Sequence, residues 1–472
     1  MVVGRRDNRS GRRRGRIIRS AVVLLVLASL LLIAAPPVEV GAALPTKPNI
    51  VLILTDDMRA VDLDALPQTR SLIGGHGVTF TNAFVSTSAC CPSRSSILTG
   101  QYSHNTKVYD NDPPNGGVSA FKDSSTLATW LKGAGYSTSM IGKYLNGYDT
   151  LTQTFIPPGW TDWHAIATGT KSPVYYNYTL NENGTLRSFG SAPADYLTDV
   201  LADRAYSFVK SASGPFFLYF APHAPHWPAV PGPNDVVNNT APLPKPPSFN
   251  EPDVSDKPWG ATNPPMTQDQ INALTWYYRA AQATMQSTDA AVAKVVRGLQ
   301  ERGVLENTVI AFMSDNGMLL GEHRMWNKVW AYDPSIRVPL LFRLPGDANA
   351  GNRTDSHFVM NVDLTSTFAE LAGITPPLKQ NGKSLVPLLN GQNPTWRTGV
   401  YVEWLGKSAT MTPGKFSAFR TAQYKLIIYQ NGTRELYDMN ADPDELNNQA
   451  ANPAYDAAEA QVQTLLYQQA AA

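Results

Sequence analysis

The chain has 472 residues, 43% of them hydrophobic and 16% charged, a balance that excludes a disordered or fibrous protein and suits about two or three domains. The formal charge of +1 hides an asymmetry, because eight arginines (Arg5, Arg6, Arg9, Arg12, Arg13, Arg14, Arg16 and Arg19) crowd ahead of the apolar run at 21–35. Without residues 1–43 there remain 31 basic against 36 acidic residues, a net of about −5, which excludes a basic stripe for nucleic acid phosphates.

In chain order, the arginine-led apolar run comes first and reads as an export signal, with small residues at Ala42 and Ala43 offering a cleavage site. Its apolar stretch falls short of the ~20 residues that span a bilayer, so no stable membrane span is expected. Secretion, or a place on the cell surface or periplasmic side, follows; an uncleaved anchor is the alternative. Residues 49–54 (NIVLIL) predict a buried strand, and Asp56-Asp57 follow at its carboxyl end, where open α/β sheets bind ligands. Similar strands are predicted at 137–141, 215–220 and 308–313. Apolar spacing predicts helices over 195–211 and 275–302, and the alternation with strands gives an α/β class. Thirteen prolines between 222 and 265 exclude a helix there and predict a functional rim or a surface excursion. Later, short strands at 400–403, 417–421, 424–429 and 435–438, with Asn431-Gly432 as a hairpin turn, predict a small antiparallel domain. The stretch 441–472 suggests a terminal helix or tail. The division expected is a signal over 1–43, a large α/β domain over 44–375 and a small α+β domain over 376–472.

The only cysteines are the adjacent Cys90 and Cys91, a spacing that rarely gives a low-strain disulfide. They open the run Cys90-Cys91-Pro92-Ser93-Arg94-Ser95-Ser96-Ile97-Leu98-Thr99-Gly100. Proline suits a first helical position, so Cys90 is expected at a helix N-terminus, where free N–H groups favour an anion. Cys90 is thus a candidate nucleophile with Arg94 close by, and a packed core cysteine is the alternative. Asp56-Asp57 and Asp315-Asn316 each follow a predicted strand, and four hard oxygen donors suit calcium, or less often magnesium. Helix caps or turn residues are the other reading of such acids.

The Cys90-x-Pro92-Ser93-Arg94 run followed by Leu98-Thr99-Gly100 resembles the signature of the sulfatase family. That resemblance implies an alkaline-phosphatase-like fold, with a large mixed central sheet flanked by helices and a smaller C-terminal antiparallel sheet. It implies that a formylglycine-generating enzyme oxidises Cys90 to formylglycine, whose hydrate offers one hydroxyl to attack sulfur and another to release sulfate. Cys91 falls on the motif's variable position. By the same resemblance Asp56, Asp57, Cys90, Asp315 and Asn316 hold the metal. Residues 135–146 (GYSTSMIGKYLN) are similar to the family's second signature, which makes Lys143 a sulfate contact. Many arylsulfatases carry histidine two positions after that lysine, where this chain has Leu145.

Pro222-His223-Ala224-Pro225-His226-Trp227-Pro228 resembles the family stretch whose histidine serves the leaving ester oxygen. His226 is preferred for that role and His223 for substrate binding, with nearby negative charge expected to favour the imidazolium. Lys328 corresponds to the second lysine, and His323 to a residue lining the pocket rim. Residues 90–100, 142–146 and 175–180 look most like the N-acetylglucosamine-6-sulfatase branch, which implies a sulfated small molecule or glycan as substrate. Aromatic residues Trp160, Trp163 and Tyr175 to Tyr178 are candidates to stack on a sugar, a packed excursion being the other reading. Rival functions are an arylsulfatase, a phosphoester or phosphonate ester hydrolase on the same fold, and a non-enzymatic binder of sulfated glycans.

Overall fold

A computed structural model describes residues 47–168, 174–347, 352–407 and 414–472, so the export signal expected over 1–43 lies outside the described residues. The elements that build the main sheet and its cover are, in order, β1 (Asn49–Thr55), β2 (Gly77–Phe80), α1 (Cys90–Thr99), α2 (Leu127–Gly133), β3 (Ser137–Gly142), β4 (Asp162–Ile166), β5 (Thr179–Glu182), β6 (Thr185–Ser188), α3 (Leu197–Ser211), β7 (Phe216–Ala221), α4 (Gln268–Glu301), β8 (Thr308–Ser314), β9 (Leu340–Arg343), β10 (Arg353–Asp355) and α5 (Asp363–Leu371). Ten strands join in the order β10-β2-β9-β8-β1-β7-β3-β4-β5-β6. The centre, β8-β1-β7-β3-β4, is parallel, while β9 and the β4-β5-β6 edge run antiparallel. The sheet is therefore mixed.

Side chains that alternate along a strand point to opposite faces, and here both faces are covered. Ile50, Leu52 and Leu54 of β1 join one apolar cluster with Ile97 of α1, Leu131 of α2 and Phe368 of α5. Val51 and Ile53 join the other, with Leu201 and Val209 of α3 and Val292 and Val295 of α4. Burial on both faces explains why β1, β7 and β8 are almost continuous apolar runs.

α4 begins seven residues before the stretch its apolar spacing predicted. Thr267 caps it: the Thr267 hydroxyl accepts from the Gln270 N–H, and the Thr267 N–H donates to Gln270 Oε1. The first turns are largely exposed, so they carry no apolar period to read. The proline-rich stretch at 222–265 connects β7 to α4 and contains only the short 3-10 turn Gly260–Thr262.

Four further strands, β11 (Gly399–Trp404), β12 (Phe416–Thr421), β13 (Tyr424–Tyr429) and β14 (Arg434–Asp438), form a separate antiparallel sheet in sequence order, followed by α6 (Asp456–Ala470). The hairpin between β13 and β14 turns at Asn431-Gly432, as predicted. Val400, Val402, Leu426 and Leu436 belong to the same apolar cluster as α1 and α5. Among the described residues no helix is long and apolar enough to cross a membrane.

Candidate active site

The strand register gathers the charged residues. Thr55 of β1 pairs with Ser314 of β8, so the next residues in each chain direction, Asp56-Asp57 and Asp315-Asn316, emerge side by side. On the other flank β1 pairs with β7, which ends at Ala221 just before Pro222 and His223, and β7 pairs with β3, which ends just before Lys143. Four neighbouring carboxyl ends thus deliver both acidic pairs, the two histidines and a lysine to one place. Gly142 makes the last delivery possible. Its φ is +116°, and a Cβ there would collide with the carbonyl of Ala221.

α1 approaches these strand ends with its N-terminus, and every residue of it is buried. Cys90 is its first residue and Pro92 its third. Proline is tolerated there because first-turn N–H groups lack partners within the helix, so the expected first position differs by two residues without moving Cys90 from the tip. Gly100, at φ +72°, ends the helix in the left-handed conformation that glycine adopts most readily. The Ser93 hydroxyl donates to the Asp315 carbonyl at 2.5 Å and accepts from Asn361 Nδ2 at 2.9 Å, which ties α1 to the end of β8.

Around Cys90 the contacts are short and buried. Its Sγ lies 2.8 Å from Lys328 Nζ and 3.4 Å from Asp56 Oδ1. Lys143 Nζ pairs with Asp56 and Lys328 Nζ with Asp57. Arg94 donates from Nε to Asp315 Oδ2 at 2.7 Å and from a terminal nitrogen to the Lys143 carbonyl at 2.8 Å. One ligand atom each from Asp56, Asp57, Cys90 and His226 lies within 4.8 Å of the others. Asn316 Nδ2 donates to Asp57 Oδ1 at 2.6 Å, while its buried Oδ1 has no donor among the described residues. Asp315 Oδ1 accepts from the Asp57 N–H at 3.2 Å. Carboxylates clustered with an unsatisfied amide oxygen fit a hard divalent cation.

Two backbone outliers flank the cluster. Asp57 has φ +68°, and Val329, next to Lys328, has φ +70°, rare for a β-branched residue. The Val329 N–H donates to the Ser88 carbonyl, which fixes the lysine's loop against the approach to α1.

Burial dominates the ionisation. It pushes the Cys90 thiol up to about 12, helped by Asp56, so the unmodified sulfur is a poor thiolate nucleophile at neutral pH. Burial alone would raise Asp56, but Lys143, His226 and Arg94 together hold it well below the usual carboxylate range. For Asp57, Lys328 and His226 likewise outweigh burial. Burial and repulsion from Asp56 push Asp315 up to about 6.

The histidines depart from expectation. His226 Nε2 stands 3.7 Å from Asp57 Oδ2, yet burial takes its pKa down to about 3 against the pull of Asp56 and Asp57. The expected imidazolium is therefore corrected to a neutral ring, because losing water costs the cation more than two carboxylates return. His226 Nδ1 lies 2.6 Å from the Trp227 carbonyl, which only an N–H can satisfy, so Nε2 carries the lone pair. The His223 ring lies 4.6 Å from that of His226, tilted by 38°, with Nδ1 3.4 Å from Asp56 Oδ2 and no donor or acceptor on Nε2 among the described residues. Burial lowers its pKa too.

His323 is not brought into this cluster. It is buried against Tyr332 at 4.1 Å, with Nδ1 2.7 Å from Glu251 Oε2, and lines a cavity of about 770 Å³ with Arg59, Tyr278 and Arg337. None of Asp56, Asp57, Cys90, Lys143, His226, Asp315 and Lys328 lines this cavity. Leu145 is core, as is Cys91. Trp160, Trp163, Tyr175 and Tyr178 are also buried, which corrects the expectation of sugar stacking for those four. Trp163 instead donates from its indole to Tyr148 Oη at 2.9 Å.

Sequence reading did not assign the clamps on the histidine loop. The Tyr175 hydroxyl donates to the His226 carbonyl at 2.9 Å, and the Tyr277 hydroxyl donates to the Pro225 carbonyl at 3.2 Å. Tyr175 carried a signal, its place in an aromatic run, but read as a ligand contact; Tyr277, inside a long helix, carried none.

Residues 48–374 match the family profile described as Sulfatase, and residues 321–472 match that of the N-sulphoglucosamine sulphohydrolase C-terminal region. The chain is 36% identical over 479 residues to the N-acetylglucosamine-6-sulfatase of Homo sapiens, covering 91% of this chain and 84% of that protein. A protein solved in complex with its substrate D-glucosamine-2-N,6-O-disulfate is similar with a TM-score of 0.76 and 26% identity, over 89% of this chain and 97% of the other. The phosphonate monoester hydrolase of Agrobacterium radiobacter shares the fold, with a TM-score of 0.71 and 20% identity over 90% and 95% of the two chains.

Proposed function

From the premise that this chain belongs to the sulfatase family and is a sulfuric ester hydrolase, we propose that its substrate is a sugar 6-sulfate of the N-acetylglucosamine type. The single observation that carries the mechanism is the placement of Cys90 at the tip of α1, with Lys328, Asp56 and the other charged strand ends around it. Substrate class rests on likeness: the human relative is named for this activity, and the solved neighbour holds a glucosamine disulfate.

In this reading Asp56, Asp57, Asp315 and Asn316, with the Cys90 position, hold calcium, magnesium being the smaller alternative. The bound ion supplies Lewis-acid polarisation of the sulfate oxygens. Cys90, oxidised to formylglycine by its generating enzyme, supplies two hydroxyls on one carbon. The raised thiol pKa supports that modification, because a buried neutral thiol attacks poorly.

The residues divide the remaining work. Lys143 and Arg94 hold positive charge beside Asp56 and Asp315, where charge builds on the sulfuryl oxygens. Lys328, 2.8 Å from the Cys90 sulfur, is a proton donor to the leaving oxygen. His226, expected to serve the leaving ester oxygen, is neutral with its lone pair on Nε2 and has no proton there to give. Its role is therefore changed to accepting the proton that the second hydroxyl of the Cys90-derived hydrate loses as sulfate departs, and His223 contacts the sulfate. His323 lines a separate cavity and is assigned to a more distant part of the substrate. The same reading takes 1–43 as an export leader to a secreted or surface-exposed site, and 44–375 and 376–472 as the catalytic and smaller domains.

The test joins two measurements on one preparation: sulfate released from N-acetylglucosamine 6-sulfate, and the mass of the peptide containing Cys90. Expected are turnover and the mass loss of thiol oxidation to aldehyde. Turnover with an unmodified Cys90 would remove the formylglycine mechanism, and an oxidised Cys90 without sugar-sulfate turnover would remove the substrate.

A further inference from the structure

Among the described residues the exposed tryptophans are Trp227, Trp276 and Trp326, at 40%, 57% and 46% exposure, and they meet. Trp227 lies 5.3 Å from Trp326 and 6.3 Å from Trp276, with both partner rings turned 77° from its plane. They come from three separate elements: the histidine loop after β7, the N-terminal third of α4 and the short strand Trp326–Asn327. Exposed indoles are costly to leave in water, and a contiguous set at the surface marks a place where something is bound.

Their position says what. Trp227 directly follows His226, whose Nε2 is 3.7 Å from Asp57 Oδ2. Trp326 is two residues before Lys328, whose Nζ is 2.8 Å from Cys90 Sγ. Trp276 precedes Tyr277, which holds the Pro225 carbonyl and borders a small cleft with Asp57. All three tryptophans thus stand within two residues along the chain of groups that touch or border the candidate active site, and they face solvent, while Asp56, Arg94 and Asp315 are wholly buried. A sulfated sugar with its sulfate at Cys90 points the rest of its chain away from these buried residues and toward solvent.

We propose that Trp227, Trp276 and Trp326 form a subsite for the sugar next to the sulfated one, stacking on the C–H face of a pyranose. This rests on the sugar-sulfate reading above and adds that the enzyme prefers a chain to a single sugar. Rings set at steep angles offer separate ring-sized facets rather than the flat apolar plate of a protein interface. A pyranose presents one apolar face of that size and leaves its hydroxyl edge in water.

The experiment compares kcat/KM for N-acetylglucosamine 6-sulfate alone with kcat/KM for the same residue linked through its reducing carbon to an unsulfated hexopyranose. The native enzyme is expected to favour the disaccharide by about tenfold, the size of one aromatic stacking contact. Trp276→Ala and Trp326→Ala should each bring that ratio toward one, and Trp276→Phe should keep part of it. Far-ultraviolet circular dichroism checks that each variant is folded; Trp276 projects from the exposed face of a long helix, so its truncation leaves the core intact. A native ratio near one, or variants that keep the native ratio, overturns the subsite while leaving the sugar-sulfate reading standing. Hydrolysis of a nitrophenyl sulfate with no turnover of either sugar overturns the sugar-sulfate reading, and the subsite with it.

Discussion

Two adjacent cysteines illustrate how far one position decides chemistry. Cys90 begins α1 and touches Lys328 and Asp56, whereas Cys91 turns into the apolar cluster. Cys90→Ala is expected to lower sulfate release by about a thousandfold or more, because it removes the attacking group, while Cys91→Ala keeps most activity. Equal loss in two folded variants would assign the reaction elsewhere. Asn316 makes a finer test of the metal. Its Oδ1 is buried without a donor among the described residues, so Asn316→Ala removes an oxygen that a cation would satisfy. Half-maximal activity should then require more added calcium than in the native enzyme. Activity that persists at the native level after chelation would remove calcium from the mechanism. Both residues and their partners stood out in the sequence through the family resemblance, but no local pattern reported the contacts between them: Lys328 is 238 positions from Cys90.

Elements, rather than single residues, determine how rigidly these groups are held. β3 ends against β7 so closely that Gly142 has no room for a side chain and holds φ +116°. Gly142→Ala should therefore cost stability by more than about 1 kcal/mol and displace Lys143, which follows it, from Asp56. A lower midpoint of thermal unfolding together with reduced kcat is the expected result; an unchanged midpoint would mean the strand ends are looser than described. The C-terminal sheet holds the loop of Lys328 in a comparable way. Lys425 of β13 reaches the Ala331 carbonyl at 3.0 Å, Asp333 at 2.5 Å and Glu445 at 2.6 Å, and the Tyr332 hydroxyl donates to Glu435 of β14 at 2.7 Å. These contacts are buried, so the small sheet fixes a segment of the active-site rim.

For the whole molecule, the apolar cluster on the α1 face runs from Ile50 in the central sheet to Tyr437 in the C-terminal one. Shared burial couples the two sheets, because neither can open without exposing apolar surface of the other. Calorimetry is expected to show one cooperative unfolding transition in spite of the two sheets. Two separated transitions would make 376–472 an independently folding domain. The other face, built by α3 and α4 on Val51 and Ile53, has its own cluster, and the sheet carries both. The charged cluster sits at the edge where these layers end, which gives it low-dielectric walls and explains why burial outweighs charge at His226.

Much of this was legible along the chain because it rests on local or periodic signals. The apolar runs marked β1, β7 and β8, the strand-end acids marked the ligand edge, and the cysteine run marked the helix that meets it. Asn431-Gly432 marked its hairpin by turn chemistry alone. Local patterns do not report which strands pair, and here pairing decides the site: Thr55 opposite Ser314 places Asp57 beside Asn316. Nor do they report which aromatic residues face water. Trp163 lies in β4 and Trp276 in α4, yet packing buries one against Tyr148 and leaves the other among exposed rings. His226 is the sharpest case: the carbonyl that selects its tautomer belongs to the next residue, Trp227, but no sequence neighbour predicts the desolvation that keeps the ring neutral. That desolvation arises from three-dimensional enclosure, a property of the folded chain and not of any segment in it.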